Sequence, residues 1–139
     1  MSESVRSRVL LVESDPEAAA AYGARLEQDG CEVAIARTGA DGLHQAETWG
    51  PDLVITEAEL PDMSGLALLD TLSERPAPGN RPVLVLSEQN DPVLVEKALD
   101  LGALDWLCKG QTTPAALSRF VRAWLWAVWA LEPAELVRP

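Results

Sequence analysis

Short apolar runs punctuate the chain at Val9–Val12, Val33–Ala36, Leu53–Ile55, Val83–Leu86 and Trp106–Cys108, and the stretches between them carry apolar residues at helical spacing. Runs that are apolar at successive positions suit strands covered on both faces, so the alternation predicts a parallel sheet with crossover helices. The first helix is expected from Asp15 or Pro16, where an aspartate caps and a proline fits the first turn. Ala19, Tyr22 and Leu26 share one face before Asp29-Gly30 ends it. Further helices are expected at about Thr38–Trp49, Ser64–Ser73 and Pro92–Leu101, separated by Gly50-Pro51, the "PAPGN" segment and Gly102. A fifth starts near Thr113-Pro114 and runs to about Leu131, where Pro133 interrupts it. Five β/α units in 139 residues make one α/β domain over residues 1–132, a doubly wound three-layer sandwich, with 133–139 as a tail or the start of a linker. Right-handed crossovers leave few strand orders open.

Sites in such sheets form at the carboxyl ends of the strands. Those ends carry Glu13, Ser14 and Asp15 after the first strand, Glu57 and Glu59 after the third, Ser87 after the fourth and Lys109 after the fifth. Carboxylates at the edge of a buried strand are costly to desolvate, so Glu57 needs a cation, a metal or water beside it.

Composition narrows the function classes. Eleven Lys and Arg against twenty-two Asp and Glu give a net charge of −11, which disfavours direct binding to nucleic acid or to an anionic membrane. The first apolar run is too short for a signal peptide or a membrane span, and a cytoplasmic location is expected. Cys31 and Cys108 lack metal or redox spacing and read as two buried free thiols. His44, the only histidine, lies in a polar helical stretch. No His-based catalytic set can be built, and no enzyme is expected.

The landmarks "VLLVESDP", "ARTGADGL", "PDLVITEAELPDMSGLALL", "RPVLVLSE" and "ALDLGALDWLCKG", in that order and spacing, resemble the receiver domain of bacterial response regulators over about residues 7 to 130. The resemblance implies a flavodoxin-like sheet of order 2-1-3-4-5 with five helices and a place in two-component signal transduction or a phosphorelay. In that family an aspartate at the position of Glu57 takes a phosphoryl group, and acids at the positions of Glu13 and Ser14 organise Mg²⁺. A hydroxyl at Ser87 and a lysine at Lys109 hold the phosphate. This chain departs from the pattern at Glu57, at Ser14, and at Gly110, where a proline usually follows the lysine.

Phosphoryl transfer needs an in-line nucleophile and a cation that neutralises the equatorial oxygens. The extra methylene of Glu57 moves its oxygens on the order of 1.5 Å beyond those of aspartate, and misplacement on that scale costs about 100-fold in rate. A longer side chain also reaches toward Lys109 and Ser87, where it imitates a phosphoryl group crudely. The expectation is a phosphorylation-independent pseudo-receiver that acts as a protein–protein interaction module. Two alternatives stay open: a Mg²⁺-dependent phosphoacceptor that uses another acid such as Asp15 or Asp62, and a small-ligand or anion-binding module. No cofactor is required, although weak Mg²⁺ or Ca²⁺ binding through Glu13, Asp15, Glu57 and the carbonyl of Glu59 is an open alternative.

In the family the signal passes through the hydroxyl residue and an aromatic, here Ser87 and Trp106, to the face made by the fourth helix, fifth strand and fifth helix. Core filling accounts equally well for Trp106. In the fifth helix, Leu117, Val121, Trp124, Leu125, Val128 and Leu131 form an inward stripe, while Trp126 and Trp129 share the other side with Arg119 and Arg122. That composition predicts an interface with a protein partner or a second copy, with a histidine kinase or a fused output domain as further partners. No output domain fits in the residues after Lys109, so either a single-domain regulator or a piece of a longer one is expected.

Overall fold

The computed structural model describes residues 6–74 and 81–137, with side chains of the last helix described as far as Ala127. Five strands, β1 (Arg8–Val12), β2 (Glu32–Ala36), β3 (Leu53–Thr56), β4 (Val83–Ser87) and β5 (Trp106–Cys108), alternate with helices α1 (Pro16–Gln28), α2 (Gly39–Thr48), α3 (Gly65–Ser73), α4 (Pro92–Asp100) and α5 (Pro114–Val137). The strands are all parallel and lie in the order β2-β1-β3-β4-β5.

Period-two alternation along the strands builds two cores, one on each side of the sheet. Val9, Leu11, Leu53, Ile55, Leu84 and Leu86 face α1 and α5, where they meet Tyr22, Leu26, Leu117, Val121 and Leu125. Leu10, Val12, Val54, Val83 and Val85 face the other way, toward Leu68, Leu69 and Leu72 of α3 and Ala98 of α4. Strands β3 and β4, and β1 from Val9 on, are buried throughout this arrangement, whereas the edge strand β2 leaves Ile35 39% exposed.

Each helix begins where a side chain can satisfy its first amides. Asp15, Thr38, Ser64 and Asp91 each accept from an amide of the following turn. The carboxylate of Asp62 adds a tertiary cap, accepting from Gly39 N at 2.7 Å and Ala40 N at 2.9 Å. Asp29 ties α1 to α5, since its Oδ2 accepts from buried Ser118 at 2.6 Å and from Arg25 at 2.9 Å. The Ser118 hydroxyl and the Arg25 guanidinium hold its carboxyl below the usual range.

Two expectations need correction, and one short element was not foreseen. The last helix does not stop before Pro133 but continues to Val137, because a proline inside a helix removes a single N–H donor and need only kink the chain. A short 3-10 turn, Lys109–Gln111, separates β5 from α5, and no apolar pattern signals it. Cys31 is buried but Cys108 is only half-buried, as befits a short strand at the sheet edge. His44 is exposed, and among the described residues no helix is long and apolar enough to cross a membrane.

Candidate functional site

Parallel register brings the acids together. Val12 pairs with Thr56 across β1 and β3, so the residues that follow each strand, Glu13 and Ser14 on one side and Glu57 on the other, emerge side by side. Lys109 follows β5, two strands from β3 in the sheet order, and only a long side chain can cross β4 to reach them. Its Nζ lies 3.0 Å from Glu57 Oε2, 3.0 Å from Glu13 Oε2 and 2.9 Å from Glu13 Oε1. The other oxygen of Glu57, Oε1, accepts from the Ser14 amide at 2.9 Å and the Ser14 hydroxyl at 2.7 Å. Both oxygens of Glu57 are therefore engaged, by a cation on one side and by two neutral donors on the other.

Ser14 was expected only as the absence of an acid. Its hydroxyl instead supplies a bond that an acid there could not give, since an ionised carboxylate has no proton to donate. Sequence spacing alone does not reveal this contact, because it depends on the register between β1 and β3. Ser87 is buried at the end of β4 and lines the same small cavity, of about 130 Å³, as Glu57 and Lys109. Its Oγ accepts from Gln89 N at 3.0 Å, and no hydrogen bond joins it to Glu57. Trp106 is 8% exposed in the core, and its indole N–H donates to the carbonyl of Gln89 at 2.8 Å. Packing and a hydrogen bond together fix that ring against the loop after β4.

The other candidates are spread out. Asp15 caps α1 through Glu17 N, and Asp62 caps α2. The Glu59 side chain is exposed, while its backbone bridges to Ser64. The donor set does not fit Mg²⁺ or Ca²⁺, which take several oxygens around one point. Here an ammonium occupies the space between Glu13 and Glu57, and among the described residues no group of three or more His, Cys, Asp or Glu is placed to hold a metal. On α5, Leu117, Val121 and Leu125 are buried and Trp124 packs partly against them, while Arg119, Arg122 and Trp126 face outward. The side chains of Trp129, Val128 and Leu131 lie outside the described residues.

The two glutamates respond oppositely to this environment. Burial pushes the Glu13 carboxyl up to about 7, and Lys109 offsets this only in part. Its Oε1 lacks a well-directed donor despite the nearby ammonium, which makes it the natural seat for a proton. Burial would raise Glu57 too, but the amide and hydroxyl of Ser14, together with Lys109, hold it below the usual range. Burial alone would lower Lys109, yet the two carboxylates hold it above the ordinary lysine value.

A raised carboxyl contributes stability that is full below the unfolded value of 4.5 and is lost as pH rises through about 7. Lowered Glu57 loses its contribution only when pH falls below that unfolded value, and Lys109 only when pH rises above 10.5. Between these limits Glu13 is the member of the triad that titrates. Urea denaturation is expected to show stability falling by on the order of 1–3 kcal/mol from pH 5 to pH 8. Glu13→Gln should flatten that slope, and an unchanged slope would show that Glu13 is not the group responsible.

The response regulator receiver domain model matches residues 9–121 of the chain. Over 101 residues the chain is 38% identical to the transcriptional regulatory protein KdpE of Mycobacterium tuberculosis, covering 73% of this chain and 43% of that protein. Over 116 residues it is 32% identical to a gliding motility regulatory protein of Myxococcus xanthus, covering 84% of this chain and 15% of that protein. The chain thus spans less than half the length of these curated relatives. The solved signal receiver domain of a putative Luxo repressor protein from Vibrio parahaemolyticus superposes with a TM-score of 0.85 at 27% identity, covering 94% of this chain and 98% of that one. Sheet order, the acid and lysine ends of the strands, and these likenesses together make the chain a member of the response regulator receiver domain family, a signalling module of two-component systems.

Proposed function

We propose that this receiver signals without phosphoryl transfer, with Glu57 as a permanent charge in the place of a phosphorylated aspartate. The observation that carries the reading is the bridge from Glu57 to Lys109 at 3.0 Å and to Ser14 at 2.7 Å. A carboxylate already bonded at both oxygens is a poor nucleophile, and the cation that would meet an incoming phosphate is already occupied. Trp106, packed and hydrogen-bonded rather than free to turn, suits a domain held in one state. Its output is read through the face of α4, β5 and α5, where Arg119, Arg122 and Trp126 are exposed. The occupant is a protein partner or a second copy, and a histidine kinase or a covalently attached output domain completes the signalling path.

The chain should keep its intact mass after incubation with acetyl phosphate and Mg²⁺. A gain of one phosphoryl group would overturn the proposal, and peptide mapping would then identify the acid that accepts it.

A further inference from the structure

The turn that carries Lys109 has few local supports. It leaves β5, an edge strand of three residues, and its 3-10 turn, Lys109–Gln111, has no side-chain cap. One long backbone bond, from Thr112 N to Lys109 O at 3.3 Å, closes it. Gly110 stands in the middle, exposed and with nothing within 4 Å of where a Cβ would lie, and glycine leaves a backbone its widest freedom. Yet the ammonium that this turn presents lies 2.9 Å from Glu13 Oε1 and 3.0 Å from Glu57 Oε2. A lysine stem is long and flexible, so two such contacts held at once need a fixed base.

Helix α1 supplies that base. Its first turn grows out of the acid site, where the Asp15 amide donates to Glu13 Oε2 at 3.2 Å and the Asp15 side chain caps the helix. Seven residues on, two turns along, Tyr22 is buried in the core that α1 shares with α5. Its hydroxyl donates to the carbonyl of Thr112 at 2.7 Å, across 90 residues of chain. One helix thus joins the strand end that bears Glu13 to the turn that bears Lys109, and its regular rise fixes the distance between them.

Tyr22 belongs to the cluster of Leu26, Leu117 and Val121, where a phenylalanine would pack as well with no hydroxyl to satisfy. The hydroxyl therefore serves the loop and not the core. Burial raises its ionisation above the usual value, with Lys109 as a partial offset, so the phenol keeps the proton that it donates. We infer that Tyr22 is a positioning residue for the triad: by pinning Thr112 it sets the turn from which Lys109 reaches Glu13 and Glu57. The inference rests on the reading of Lys109 as the fixed partner of Glu57 and adds what keeps it fixed.

Lys97 and Lys109 are the only lysines of the chain, so isotope-labelled lysine gives two ammonium signals in NMR, one from an exposed side chain and one from the triad. Hydrogen exchange at Lys109 Nζ should be about threefold to tenfold faster in Tyr22→Phe than in the parent, the change that loss of one hydrogen bond produces, with Lys97 unchanged. Leu26→Val thins the same core one turn along but keeps the hydroxyl, and it should leave Lys109 at the parent rate. Adding Gly110→Ala to Tyr22→Phe should slow the exchange again, because it stiffens the turn where space is open. A Tyr22→Phe rate equal to the parent's, a Leu26→Val rate as fast as that of Tyr22→Phe, or no recovery in the double variant overturns the inference. Intact mass of the parent after acetyl phosphate and Mg²⁺ separates this from the broader reading. A phosphorylated parent whose Lys109 loosens in Tyr22→Phe leaves the role of Tyr22 standing while phosphorylation independence fails. An unmodified parent with unchanged exchange in Tyr22→Phe gives the reverse.

Discussion

Replacing Lys109 with methionine is expected to lower stability at pH 8 by about 3–5 kcal/mol, the cost of leaving a buried ionic partner uncompensated. Glu13 is 1% exposed and the Glu57 side chain 15% exposed, and among the described residues the lysine ammonium is the cation that bridges them. Two carboxylates without it repel each other in a site that excludes most water. The loss should be smaller at pH 5, where a proton on Glu13 takes over part of the role of the ammonium. Adding Glu13→Gln to the Lys109→Met chain should recover stability at pH 8, because one of the two stranded charges is then gone. Urea denaturation of the parent, single and double variants at both pH values gives the coupling directly. A Lys109→Met chain within about 1 kcal/mol of the parent at pH 8 would mean that the triad contributes little beyond an exposed ion pair.

The second large effect is expected at Gly65, where α3 starts against the end of the loop that carries Glu57. Its amide donates to Ala58 O at 2.7 Å, and a Cβ there would fall well inside contact distance of the Glu57 carbonyl oxygen and 2.9 Å from the Glu57 carbonyl carbon. Both neighbours are backbone, so no rotamer change can make room. Gly65→Ala should therefore cost about 3 kcal/mol or more, at the upper end of what overpacking produces. Its natural control is Gly110→Ala, where an added Cβ meets nothing within 4 Å and stability should barely change. Similar midpoints for the two variants in urea would show that the backbone beside Glu57 can yield, and with it the position of the carboxylate.

Much of this architecture was legible because strand and helix signals agreed at each step. Val9–Val12 and Val83–Leu86 could only be doubly covered strands, and Asp15-Pro16 and Asp91-Pro92 announced their helices in two residues each. The meeting of Glu57 with Lys109 also followed from chain position, since both end parallel strands and both carry long side chains. What escaped was set by register and by backbone direction. The contact between Ser14 and Glu57 needs Val12 opposite Thr56, and the bonding of Ser87 to its own loop rather than to Glu57 depends on how the chain leaves β4. Asp62 drew attention as a spare acid, and nothing local to it indicated that its oxygens were committed to amides 22 and 23 residues away.

That last commitment links the motions of two segments. The first turn of α2 is closed by a carboxylate from the loop that follows Glu57, and Met63 of the same loop fills the space where Gly39 lacks a side chain. Neither segment can fray while the other stays shut, so the two form one cooperative opening unit. In hydrogen exchange the amides of Gly39 and Ala40 would report on the breathing of the loop after Glu57, through the carboxylate they share with it.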